Sequence, residues 1–290
     1  MARMDSKRNS ASFDGVALIS DNGTGPGRPT PMTLRSLIAI LSLCVVAIFS
    51  FLSGDSWADA GSPADVKTPS ARPVIILGFV GGFVRHDNPS YSEVKLAARL
   101  RQRYTSGTVV ETYSNHDGKL AYKRILELLD RDHDGNLSAE EKQSSQIILY
   151  GHSWGASETI DLARRLQADA IPVLLTVQVD SVSKIGQNDR IIPSNVSEAA
   201  NFYQQDGLLQ GKSEIRAADP LRTQIEGNFR FDYSNVPYNC VGYAWYDRVF
   251  MRAHTQIESD PKVWAQVESL IQSALLGPAK SAPTQTAGQP

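Results

Sequence analysis

Cysteine is nearly absent: the 290 residues hold two, Cys44 and Cys240. Cys44 lies in an apolar segment that export would remove, and a lone Cys240 makes no internal disulfide, so no covalent staple shapes the fold. An excess of positive charge is missing as well. A formal charge of -2 at pH 7, with no basic stretch interleaved with aromatics, excludes an electrostatic surface for nucleic acid. Nucleotide signatures are also lacking. The glycine-rich stretch "LGFVGGFVRHD" does not spell G-x-G-x-x-G and no Walker lysine follows it, so no organic cofactor is expected. No internal repeat stands out, which argues against a solenoid.

What is present describes a globular chain with a leader. Residues 1–31 are rich in Gly, Pro and Ser and read as unstructured, and Met32 is an alternative start. Residues 36–52, "SLIAILSLCVVAIFSFL", are uncharged and apolar, and Ala58-Asp59-Ala60 fits the small-x-small cleavage pattern of a signal peptide. Export with cleavage near Ala60 is the expectation; an uncleaved anchor giving membrane association through residues 36–52 is the alternative. The division that follows is 1–60 extension and signal segment, 61–71 linker, 72–276 folded domain and 277–290 low-complexity tail.

From residue 72 a rhythm sets in. "PVIILGFVGG", "TVVETY", "QIILY" and "IPVLLTVQVD" are short apolar, β-branched runs. Between them, "SEVKLAARLRQRY", "LAYKRILELL" and "SETIDLARRLQA" carry helical spacing. This alternation predicts β-α-β units, an α/β domain with a mostly parallel sheet flanked by helices. After Asp180 the rhythm loosens: residues 181–212 read as a polar cover for a cleft with a helical piece "SEAANFYQQ", and "SEIRAA" and "NFRFDYS" as two further strands. "SDPKVWAQVESLIQSALL" closes the domain as a helix, capped by Asp260 with Pro261 in its first turn.

Gly151-His152-Ser153-Trp154-Gly155 joins the strand "QIILY" to the helix after it. G-x-S-x-G in that context suits a strained strand-to-helix turn whose glycines let the backbone bend and present a serine. The stretch resembles the nucleophile elbow of the α/β-hydrolase superfamily. A serine hydroxyl needs an imidazole as base and a carboxylate to orient it. The resemblance implies the chain order serine, acid, histidine, and of the five histidines only His254 follows Ser153. Asp180, at the end of the strand after the nucleophile helix, matches the acid of the thioesterase branch; Asp189, in "GQNDRIIP", and Asp219, in "RAADP", are the alternatives. The resemblance further implies two oxyanion donors: the N–H of Trp154 and one on the first glycine-rich loop, carried by position onto Phe79 with Val80 beside it. Leu77 stands where lipase-type loops carry histidine.

"DRDHDGNLSAEE", residues 130–141, fits D-x-D-x-D-G-x5-E. Asp130, Asp132, Asp134, the Asn136 carbonyl and a bidentate Glu141 would be hard oxygen ligands for Ca²⁺, with Ser138 at the water-bridged position and Gly135 at the sharp turn. It resembles an EF-hand loop whose exiting helix is cut short, so a structural Ca²⁺ rather than a sensor is expected. Taken together these readings predict an exported serine hydrolase acting on a small-molecule or lipid ester or thioester. Two rivals stand beside it: an acyltransferase using the same triad, and a non-catalytic calcium-binding protein on a hydrolase scaffold. Phe202, Tyr203, Tyr243 and Trp245 would suit an acyl chain and would equally suit a core.

Overall fold

The structure, a computed structural model, describes residues 72–236, 243 and 251–277. The apolar run 36–52, the candidate cleavage site at Ala60, both cysteines, Trp245 and the tail from 278 lie outside the described residues. Among the described residues no helix is long and apolar enough to cross a membrane.

The chain runs β1 (Val74–Val80), α1 (Ser92–Arg103), β2 (Thr108–Ser114), α2 (Gly118–Leu129), α3 (Ala139–Gln143), β3 (Gln146–His152), α4 (Trp154–Ala168) and β4 (Val173–Val179). It continues through β5 (Ile191–Ile192), β6 (Val196–Tyr203), β7 (Arg216–Ala217), β8 (Gln224–Arg230), α5 (Arg252–Ser259) and α6 (Pro261–Leu276). Six strands form one sheet in the order β2-β1-β3-β4-β6-β8, every pairing parallel; β5 and β7 pair separately.

A parallel sheet must be covered on both faces, and the period of two in each strand divides the core accordingly. Ile75, Leu77 and Phe79 of β1 pack with α2 and α4, while Ile76 packs with α1 and α6. The same alternation holds in β3, where Ile147 and Leu149 face one layer and Ile148 and Tyr150 the other. Asp260 accepts from the Lys262 N–H at 2.8 Å and Pro261 opens α6, as the capping signal predicts.

Strand order also decides where a ligand belongs. The chain leaves β1 for β2 on one side, then returns past β1 to β3 and proceeds the other way. The carboxyl ends of β1 and β3 therefore flank a topological switch point, where open α/β sheets leave a crevice.

Two expectations fail beyond β4. "SEAANFYQQ" is not helical: it supplies β6, which lies between β4 and β8 inside the sheet. Glu198, Ala199 and Ala200 favour a helix locally, but Val196, Ala199, Ala200 and Phe202 are fully buried between the covering layers, and that burial overrides propensity. "SEIRAA" contributes only the two-residue β7 outside the main sheet, and the last strand begins earlier than "NFRFDYS". Phe202 packs on Phe229 at 5.0 Å between ring centroids. Truncation of Phe202→Ala should cost about 3–5 kcal/mol in urea unfolding. A loss below about 1 kcal/mol would mean that this segment covers the fold instead of forming its core.

Candidate active site

Ser153 follows β3 and precedes the first turn of α4, with φ 57° and ψ -125°. A side chain at positive φ costs roughly 1–3 kcal/mol, so the surroundings must enforce it. They do so through close approach. A Cβ on Gly155 would lie 2.2 Å from the Phe79 carbonyl oxygen, and one on Gly151 would lie 2.7 Å from the Gly155 carbonyl carbon. With both absent, α4 starts against the end of β1 and the chain must turn sharply at 153. The Ser153 N–H donates to the Val179 carbonyl (3.0 Å), and its own carbonyl accepts from Ser157 (3.2 Å) and Val182 (3.3 Å).

Asp180 follows β4, also at positive φ (44°), and is fully buried. Its Oδ2 lies 2.6 Å from His254 Nδ1 and accepts from Gln204 Nε2 at 2.8 Å. Its Oδ1 accepts from the backbone N–H of Gln204 (3.2 Å) and Gly211 (2.9 Å). An ionised carboxylate only accepts, so the Nδ1–H of His254 donates to Asp180. The other two carboxylates are committed elsewhere. Asp189 accepts from the Ser181 and Ser183 hydroxyls, and Asp219 from the Leu221 N–H at 3.0 Å. His254 itself sits in the first turn of α5.

Ser153 and His254 line one cavity of about 530 Å³. Phe83, Trp154, Val182, Leu209, Tyr243 and Met251 make much of its wall. The Trp154 amide belongs to the four N-terminal N–H groups that an α-helix leaves without an internal partner, at the positive end of α4. Phe79 does not match its predicted position. It is buried within β1, hydrogen-bonded to strands on both sides, and neither it nor Val80 lines the cavity. The strand runs through Val80, so the first backbone free of it is Gly81-Gly82. A Cβ on Gly81 would lie 2.8 Å from Ser153 Cβ, so this loop backbone touches the serine. Asn115 Nδ2 donates to the Gly82 carbonyl and fixes the loop from the far side.

His152 is the histidine the motif concealed. Its ring centroid is 4.4 Å from that of His254, and its Nε2 is buried without a partner. Burial, then the neighbouring His254, pushes its pKa well below the ordinary histidine range, so it stays neutral beside the base. Gln204 was invisible in the sequence because it follows the strand that reads as helix. Only the fold brings it to Asp180.

The acidic loop lies elsewhere, after α2, and shares no residue with the cavity wall. Side-chain oxygens of Asp130, Asp132 and Asp134 lie within 4.8 Å of one another. Gly135, at φ 82°, turns the chain so that its N–H reaches Asp130 Oδ2 at 3.1 Å, while Asp130 Oδ1 is buried with no partner. The Asn136 N–H donates to Asp134 Oδ1 at 2.6 Å. Glu141 accepts from Arg131 N–H (2.8 Å) and from the Ser138 N–H (2.9 Å) and hydroxyl (2.8 Å), closing a capping box on α3. Those bonds to Ser138 and Arg131 hold its pKa down to about 2. Three clustered carboxylates and an orphaned buried oxygen are a donor set that a hard cation fits.

No protein-family model matches the chain, and no curated protein matches it. Among solved structures it is similar to a cutinase-like protein from Cryptococcus sp., at 13% identity and TM-score 0.38, over 72% of this chain and 98% of that one. It is also similar to an acetyl xylan esterase (13%, 0.36, 71% and 100%) and to a thioesterase of the prodiginine pathway of Streptomyces coelicolor (10%, 0.35, 74% and 99%). Likenesses this slight carry no chemistry, which rests on the residues above.

The elbow geometry makes a direct prediction. Gly155→Ala places a methyl group into the Phe79 backbone, which cannot give way as a side chain would. It should destabilise the fold by about 2 kcal/mol or more, measured by urea unfolding. An unchanged midpoint would contradict this packing of α4 on β1.

Proposed function

We propose that this chain is an exported serine hydrolase of the α/β-hydrolase type that cleaves carboxylic esters or thioesters. The observation that carries the reading is the 2.6 Å contact of Asp180 with His254 in the same cavity wall as a serine held at positive φ. Ser153 Oγ attacks the acyl carbon while His254 Nε2 takes its proton. Asp180 keeps Nδ1 protonated and stabilises the imidazolium. The oxyanion is met by the Trp154 amide and by an amide of the Gly81-Gly82 loop. Collapse breaks the acyl bond, and His254 returns the proton to the departing alcohol or thiol. Water then attacks the acyl-serine by the same route, releasing the acid and restoring Ser153.

The apolar wall suits an apolar acyl or aryl group better than a charged one. Phe83 at the rim is 95% exposed and meets Trp154 edge-on at 5.6 Å, which leaves an apolar surface at the mouth. Export rests on residues 36–52 and the Ala60 site.

The reading also includes Ca²⁺ in the 130–141 loop, held by Asp130, Asp132, Asp134, the Asn136 carbonyl and Glu141. Bound there, the ion would neutralise the acidic cluster and brace the segment leading into β3, outside the chemistry. Glu141 would exchange its bonds to Ser138 and Arg131 for the ion.

Hydrolysis of nitrophenyl esters of graded chain length tests the chemistry. A burst of nitrophenol equal to the enzyme concentration is expected from the parent, and Ser153→Ala and His254→Ala should abolish turnover. Asp180→Asn should lower kcat by on the order of 10³–10⁴. Full activity in Ser153→Ala would end this reading. For the metal, Ca²⁺ at a hundredfold over its Kd should stabilise the protein by about 2.7 kcal/mol, and Asp130→Asn should remove that gain. Equal melting temperatures with calcium and with chelator would remove the ion from the account.

A further inference from the structure

Two buried glutamates meet at the active-site cavity, which Glu258 lines. Glu93 lies in the first turn of α1, and Glu258 lies on α5 one turn after His254; both are fully buried. Glu258 Oε1 accepts from the Ser92 N–H at 2.7 Å. Its Oε2 and both oxygens of Glu93 are buried without a partner of hydrogen-bond geometry. That bond to Ser92, the neighbour of Glu93, brings the two carboxyl groups together, and Gly81 lies close to the Glu93 carboxyl. Gly81 is the residue whose backbone touches Ser153. The pair thus stands between the loop that supplies an oxyanion donor and the helix that carries the base.

Among the described residues, other groups around the pair do little to neutralise it. From α1, Lys95 is the nearby cation, but its ammonium is spent on the Ser90 carbonyl at 2.7 Å. From β3, the Tyr150 hydroxyl donates to the Glu93 backbone carbonyl at 3.0 Å. From α6, the Trp264 indole donates to the Glu258 backbone carbonyl, and on α5 the nearest titratable neighbour along the helix is His254. Two buried anions in contact, with so little compensation, cannot both persist. Burial pushes Glu93 up to about 7, and burial followed by the Glu93 charge pushes Glu258 well above the usual carboxyl range.

We propose that Glu93 and Glu258 are positioning residues that hold a proton between their side chains, and that this proton joins the oxyanion loop to the His254 helix. The proposal rests on the hydrolase reading of Ser153. While the proton is present, one carboxyl donates to the other and the two elements are held in register. Once it is lost, two anions repel across the joint and the loop and α5 separate. Both folded-state pKa values are raised, so the stabilisation is complete below the ordinary carboxyl range. It is lost as pH rises through about 7 and beyond. The alkaline limb of activity then belongs to the pair.

The test compares the full pH–rate profile of ester hydrolysis for the parent, Glu93→Gln and Glu258→Gln, with melting temperature followed over the same range. An amide in place of either carboxyl removes the anion–anion repulsion. Both variants should therefore move the parent's alkaline limb up by roughly one pH unit or abolish it, with the acid limb unchanged. Their melting temperatures should also lose the alkaline decline that the parent shows. An alkaline limb retained in both folded variants overturns the proposal. A parent that does not hydrolyse esters refutes the hydrolase reading instead, and the melting series then decides on the pair alone: a flat profile in the parent overturns it. Should the glutamine variants fail to fold, infrared spectra of the parent decide. A protonated-carboxyl carbonyl band that persists at neutral pH and disappears on the alkaline side supports the pair, and its absence at neutral pH overturns it.

Discussion

The start of α4 packs against the end of β1 more closely than a methyl group permits. Gly155 sits where any Cβ would strike the Phe79 carbonyl, and Gly151 leaves room for the same approach from β3. Because that contact leaves no slack, the residue between them must turn through positive φ, and Ser153 is the residue that does. The turn sets the serine at the switch point of the sheet, beside the Gly81 backbone and under the amides that open α4. Strain at one residue is thus sustained by packing spread over three strands and a helix.

Charge is handled with the same economy. Asp180 is fully buried, and each of its oxygens receives two hydrogen bonds, so its desolvation is offset by His254, both donors of Gln204 and the Gly211 amide. That fourfold anchoring, rather than mere proximity, sets the orientation of the imidazole. Next to it, His152 remains neutral through burial, so it adds no positive charge beside His254. The acidic loop is the opposite case: three carboxylates crowd together, and one buried oxygen has no partner among the described residues.

Much of this arrangement could be read from the residues in order, because β1, β3 and β4 are buried on both faces and so appear as unbroken apolar runs. The elbow was legible for the same reason, as its glycines lie between such a run and a helical pattern. Legibility failed where environment outweighs local preference. β6 contains Glu198-Ala199-Ala200 and reads as helix, so Gln204 behind it could not be seen as the partner of Asp180. Nothing in "LGFVGGF" marks the strand's last residue, which is Val80, so that Phe79 lies inside β1 could not be read in advance. Glu93 and Glu258 are polar and far apart in sequence, so nothing in the residue order pairs them. Only the packing of α1 against α5 brings them together in the interior.

The central claim is that Ser153 is a nucleophile activated through His254, and covalent capture tests it most directly. The protein would be treated with an alkyl fluorophosphonate, the adduct weighed intact, and the modified residue located by peptide sequencing. The account predicts a single phosphonyl adduct on Ser153, formed in the parent and absent in His254→Ala. A folded parent that acquires no adduct, or one modified at another residue, would contradict it.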